Sequence, residues 1–142
     1  MAVPSWPAEL PQRVLRDGYS EKLRDGRLFS RTQSAPGKVR RRYSSAVLPI
    51  TASIIIDETQ KSRLERFWYE DTGGGTLPFV IPDQTHDGLP MLDNFGNPVI
   101  TDAGAEILIT ANWLARFSEN GGPQFTPWGL QFQAAFQLDV LP

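Results

Sequence analysis

Apolar and polar residues alternate most regularly near the end of the chain. From Leu130 to Leu141, Leu130, Phe132, Ala134, Phe136, Leu138 and Val140 fall on one face, and Gln131, Gln133, Gln137 and Asp139 on the other. A period of two is that of a strand with one dry and one wet face. A strand this apolar needs partners in a sheet, because an unpaired edge invites aggregation. The pattern recurs upstream, where Ile107, Ile109, Ala111, Trp113, Ala115 and Phe117 oppose Glu106, Thr110, Asn112 and Arg116. With the polar, Gly- and Pro-containing connection Ser118 to Gly129 between them, the two segments predict a long-looped antiparallel hairpin over one core.

A third alternating run places Ile50, Ala52, Ile54 and Ile56 against Thr51 and Ser53. Asp57 follows as an N-cap with Gln60 three residues on, the signature of a capping box. Residues 58–71 then read as the one helix, whose Leu64, Phe67 and Trp68 form a narrow apolar stripe suited to packing on the sheet. Gly73-Gly74-Gly75 stops it, and Leu77, Phe79 and Ile81 begin another strand. Earlier, Arg27 to Gln33 and Lys38 to Val47 predict two strands joined by the turn Ser34-Ala35-Pro36-Gly37, in which Pro sets φ and Gly allows it to be positive.

Two stretches fall outside this pattern. Residues 1–26 carry Pro4, Pro7 and Pro11, which break any helix, and Trp6, Leu10, Val14, Leu15 and Tyr19 stand as isolated anchors. They predict an extended arm lying on its own core or on a neighbour. Residues 82–105 form an excursion in which Pro90 to Leu92 and Pro98 to Ile100 flank Asp93-Asn94-Phe95-Gly96-Asn97, a protruding hairpin. No internal repeat is evident. The expected fold is mainly β: an antiparallel sandwich or barrel with one flanking helix, an extended N-terminal arm and a protruding hairpin, all in one domain spanning residues 1–142.

Composition adds constraints. The chain has no cysteine, which removes disulfides and thiolate metal sites. It shows no apolar run of signal-peptide or bilayer-spanning length, so no membrane insertion is expected. The net charge is −2, but residues 1–70 hold 13 Lys/Arg and 8 Asp/Glu, a net of +5, while residues 71–142 hold 1 Lys/Arg and 8 Asp/Glu, a net of −7. Either these are solvated faces, or two oppositely charged surfaces meet between copies of the chain.

The candidate chemistry is thin. Gly73-Gly74-Gly75 follows a helix, whereas a phosphate-cradling loop precedes one. His86 is the only histidine, too few for a zinc site, and no nucleophile elbow accompanies it; Asp83-Gln84-Thr85-His86-Asp87-Gly88 reads as a turn. Lys38, Val39, Arg40, Arg41, Arg42 and Tyr43 form the one basic cluster, with Lys38, Arg40 and Arg42 on one strand face. Phosphate binding is one reading, but stacking aromatics are limited to Tyr43 and the protein is acidic overall. Contact with the acidic half of another copy fits better, and no specific nucleic-acid binding is expected.

The order of these features resembles a family. Pro11-Gln12-Arg13 leads to Asp17-Gly18-Tyr19-Ser20. A strand follows, then the capped helix Asp57 to Glu70, the Gly-rich stop, the strand Leu77-Pro78-Phe79-Val80-Ile81-Pro82 and the closing segment Trp128 to Val140. This looks like the minor tail proteins of lambda-type long-tailed bacteriophages, which sit at the distal end of the tail. Arg16 stands where the family has Gly before Asp-Gly-Tyr, and the excursion at 82–105 is longer than the family's. The resemblance implies a non-enzymatic virion subunit, made in the host cytoplasm, with no cofactor and no catalytic or metal-binding residue. Its partners would be copies of itself in a six-fold ring, the tail tube and the tail hub. Tube subunits and terminators of the same tails are the nearest alternatives. The residues expected at interfaces are Trp6, Tyr19, Lys38, Arg40, Arg42 and Phe95. Two other classes remain open on the residues: a carbohydrate-binding sandwich stacking sugars on Trp6, Trp113 or Trp128, and a small hydrolase using His86.

Overall fold

The computed structural model describes residues 3–31, 33–42 and 45–142. In chain order these form β1 (Ser20–Glu21), β2 (Arg27–Ser30), β3 (Lys38–Arg41), β4 (Leu48–Ile56), α1 (Glu58–Arg66), a π-helical turn (Phe67–Asp71), β5 (Phe79–Pro82), β6 (Asn112–Phe117), β7 (Gln124–Trp128) and β8 (Gln131–Val140). The predicted strands 27–33 and 38–47 run in part over Thr32, Tyr43 and Ser44, which lie outside the described residues, as do Met1 and Ala2 of the arm.

β8 organises the fold. Along one edge it pairs antiparallel with β4 from Leu48↔Val140 to Ile56↔Phe132. Its other edge is shared: β6 pairs with Leu138–Val140 and β7 with Gln131–Ala135. The six-stranded antiparallel sheet runs β1-β4-β8-β6-β5, with β7 beside β8, and is not closed into a barrel. Alternation does what it predicts on β4 and β8, where Ile50, Ala52, Ile54 and Ile56 face Ala134, Phe136, Leu138 and Val140 in one buried core.

Helix and arm cover the dry face in place of a second sheet. Asp57 caps α1 through a 2.8 Å bond from the Gln60 N–H, and the Gln60 side chain accepts the Asp57 N–H at 3.0 Å. Leu64 and Phe67 are fully buried. Beyond the π-helical turn, Gly75 packs on the indole of Trp68. The N-terminal arm binds its own domain at both sheet edges. Trp6 N–H donates to the Val80 carbonyl on β5 at 2.7 Å, and Leu15 N–H to the Ser53 carbonyl on β4 at 2.9 Å. Between those points the Trp6 indole sits 5.6–5.9 Å, centroid to centroid, from Phe67, Phe79 and Phe136.

Three sequence expectations need correction. The connection Ser118 to Gly129 is no open loop; it contains β7, joined to β8 by the two-residue turn Gly129-Leu130. Pro127 cannot donate to a ladder, so β7 stands where only β8 pairs with it. Leu130, placed on the dry face by alternation, is at the turn and fully exposed. The run Ile107 to Phe117 is not one strand: β6 begins at Asn112, and Ile107 and Ile109 belong to a separate projection.

Candidate interaction surfaces

Two structures leave the same end of the sheet, where Leu48, Val140 and Ala115 lie side by side. One, between β1 and β4, is the two-stranded sheet β2–β3. The other, between β5 and β6, is the projection. Their positions follow from the antiparallel pairings, because β4 and β6 begin, and β5 ends, at that end.

The β2–β3 hairpin pairs Arg27↔Arg41, Leu28↔Arg40, Phe29↔Val39 and Ser30↔Lys38. Residues 27–42 carry six Lys/Arg and no acid. Alternation puts Lys38 and Arg40 on one face, as the sequence predicts, with Arg42 continuing it just past the strand. It also puts Phe29 and Val39 together on the other face, flanked by Arg27 and Arg41. Phe29 and Val39 are about half exposed (54% and 50%), and the Arg27 guanidinium lies 5.0 Å from the Phe29 ring centre. Arg27 also chelates Asp25 through two 2.9 Å bonds, which hold the Asp25 carboxyl down at about 2. Among the described residues Lys38, Arg40 and Arg41 make no ion pair.

The projection has an internal repeat that the hydrophobic pattern does not signal. Thr85-His86-Asp87-Gly88-Leu89-Pro90-Met91-Leu92, Asp93-Asn94-Phe95-Gly96-Asn97-Pro98-Val99-Ile100 and Thr101-Asp102-Ala103-Gly104-Ala105-Glu106-Ile107-Leu108 are three eight-residue units. Each has Gly fourth, Pro or Glu sixth and two apolar residues last. Gly88, Gly96 and Gly104 share φ of +81°, +82° and +83°, the left-handed region that glycine enters without strain. The units pair in a closed cycle: Leu92↔Pro98, Ile100↔Glu106 and Pro90↔Leu108. At its centre Met91 N–H donates to Ile107, Ile107 to Val99 and Val99 to Met91, at 2.8, 2.9 and 2.8 Å. The expected hairpin at Asp93–Asn97 is therefore one lobe of a three-lobed β element. The Asp93 carboxylate closes its turn by accepting the Phe95 and Asn97 N–H groups.

This element is tied at its root. Gln84 accepts the Val14 N–H at 3.0 Å and donates to the Gln12 carbonyl at 3.0 Å, while Arg13 donates to the carbonyls of Gln84 and Asp87. Gln12-Arg13-Val14 thus seats the projection on the arm, a role with no sequence signal because Gln84 lies some seventy residues away.

The remaining candidates separate. Trp6, expected at an interface, is 5% exposed and belongs to its own core, with its indole N–H bonded to the Pro11 carbonyl at 3.0 Å. Tyr19 is half-buried. Burial, then the carboxylates of Glu21 (3.4 Å from its hydroxyl) and Asp83, push it up to about 12. Phe95 is 89% exposed at a lobe tip. Of the indoles that could stack on sugar, Trp113 is half-buried against the core and Trp128 is exposed. His86 does sit with a carboxylate, 3.1 Å from Asp83 Oδ2, but the Thr85 hydroxyl meets the same Nδ1 at 2.7 Å. A nucleophile relay needs hydroxyl and carboxylate on opposite ring nitrogens. Here Asp83 closes a turn, accepting the Thr85 and His86 N–H groups. Burial raises its pKa, and these bonds outweigh that and lower it.

No protein-family model, no curated protein and no solved structure matches the chain.

Proposed function

We propose that this chain is a structural virion subunit of a bacteriophage tail. In this reading its copies form a ring at the distal end that joins the tail tube to the hub. The observation that carries the reading is the pair of exposed, oppositely charged structures at one end of the sheet: a hairpin with six basic residues and no acid, and a projection whose residues 88–110 hold three acids and no base. Complementary patches of this kind orient assembly of identical subunits. The resemblance of Asp17-Gly18-Tyr19, the capped helix and the closing strand to lambda-type minor tail proteins supplies the setting. The order of elements behind that resemblance is the order of the fold, from β1 beside Tyr19 to the capped α1 and the closing β8. The subunit acts by binding, and catalysis has no part in the reading.

The test is to measure the mass of the purified protein by light scattering and to image it by electron microscopy. Rings, and tails that lack their tip when the gene is removed, are the expected results. A monomer at high concentration together with intact tails would overturn the reading.

A further inference from the structure

We infer that the basic β2–β3 hairpin of one copy docks on the acidic three-lobed projection of the next. This rests on the self-assembly reading above and names the contact that reading leaves open. Both surfaces combine exposed apolar side chains with charged ones, as specific interfaces do. On the hairpin, Phe29 and Val39 are a cross-strand pair flanked by Arg27 and Arg41. On the projection, the equivalent last residues of the three units, Leu92, Ile100 and Leu108, are 57%, 59% and 55% exposed, and Phe95 adds an exposed ring. Asp102 and Glu106 are exposed beside them in sequence.

Charge selects the occupant. The hairpin needs an acidic apolar surface, and the projection needs a basic apolar one. Each is present on every copy, so a second copy satisfies both. Among the described residues, no ion pair within one chain joins Lys38, Arg40 or Arg41 to the projection. Because both leave the same end of the sheet, a copy related by simple translation along the sheet axis cannot bring them together. The hairpin leaves beside β4 and the projection beside β5, on opposite sides of the sheet, so copies meet side by side, and a rotation between them would close a ring.

The test uses charge exchange on the full chain. Lys38→Glu, Arg40→Glu and Arg41→Glu make the hairpin acidic, and Asp102→Lys and Glu106→Lys make the projection basic. Each set alone should weaken self-association by about tenfold or more, measured by sedimentation at low salt, with circular dichroism unchanged. Mixing the two variant proteins, or combining both sets in one chain, should restore assembly. The chain has no native cysteine, so Val39→Cys and Ile100→Cys supply a second readout: mixed singly labelled proteins should cross-link between copies. A wild type that assembles but is insensitive to both sets, or single variants not rescued by mixing, would overturn this contact and leave the ring reading standing. A two-fold dimer that depends on both sets would support the contact and overturn the ring. A wild type that stays monomeric would overturn both.

Discussion

Gly75 lies flat against the indole of Trp68, so closely that a methyl group there would overlap the ring. Its neighbour Gly74 also has positive φ, +77° against +85°, yet a methyl group there meets nothing within 4 Å. Gly74→Ala should therefore cost only the left-handed backbone, about 1–2 kcal/mol. Gly75→Ala should cost more, because Trp68 must leave its contact with Phe117, 5.0 Å away between ring centres. Urea unfolding of the two variants checks the order. Equal midpoints would mean that Trp68 moves freely.

Trp6 should behave as a core residue despite its place near the start of the chain. Trp6→Ala removes the ring shared by Phe67, Phe79 and Phe136, and large aromatic deletions of this kind cost about 3–5 kcal/mol. The thermal melt should fall sharply. A variant of unchanged stability with impaired assembly would return Trp6 to the interface.

The projection should be removable. Gly88 N–H already bonds to the Ile109 carbonyl at 2.8 Å, so a short Gly-Ser link can replace residues 89–108 without moving the root. The deleted side chains are mostly exposed, and the melting free energy should change by about 1 kcal/mol or less. Assembly of infectious particles should fail. Loss of the cooperative melt would place the segment in the core.

One tyrosine should titrate late. Tyr19 is pushed to about 12 in the folded state from an ordinary value of 10.0. The unfolded chain therefore loses this proton first, so stability falls as pH rises above 10 and levels off near 12. Ultraviolet titration should show a phase near 12 that Tyr19→Phe abolishes. A Tyr19→Phe protein with the same alkaline profile would assign the late phase elsewhere.

Some of this architecture is legible in sequence because its causes are local. The faces of β4 and β8 follow from alternation, the α1 start from Asp57 and Gln60, and the β2–β3 turn from Pro36-Gly37. What is missed depends on partners far along the chain. Gln124 to Trp128 contains a proline and few buried side chains, so nothing local marks it as a strand; β8 makes it one. Trp6 is an isolated anchor until the fold brings three phenylalanines to it. The eight-residue units share only a glycine and two apolar positions, and Glu106 stands where the others have Pro90 and Pro98. For the candidate surfaces, the charge division and the exposure of Phe95 follow from composition. The pairing of Phe29 with Val39 requires the hairpin register.

β8 supplies partners to β4, β6 and β7, yet it is the last of the described strands to leave the ribosome. Until residue 138 emerges, the Ile50–Ile56 run has only the two-residue β1 beside it. Contacts this distant in sequence close slowly. During synthesis the chain is thus an apolar strand waiting for its mate, and that interval is when misassociation threatens it most. Crowded translation, or a stall just before β8, should therefore harm yield more than any equal delay earlier in the message.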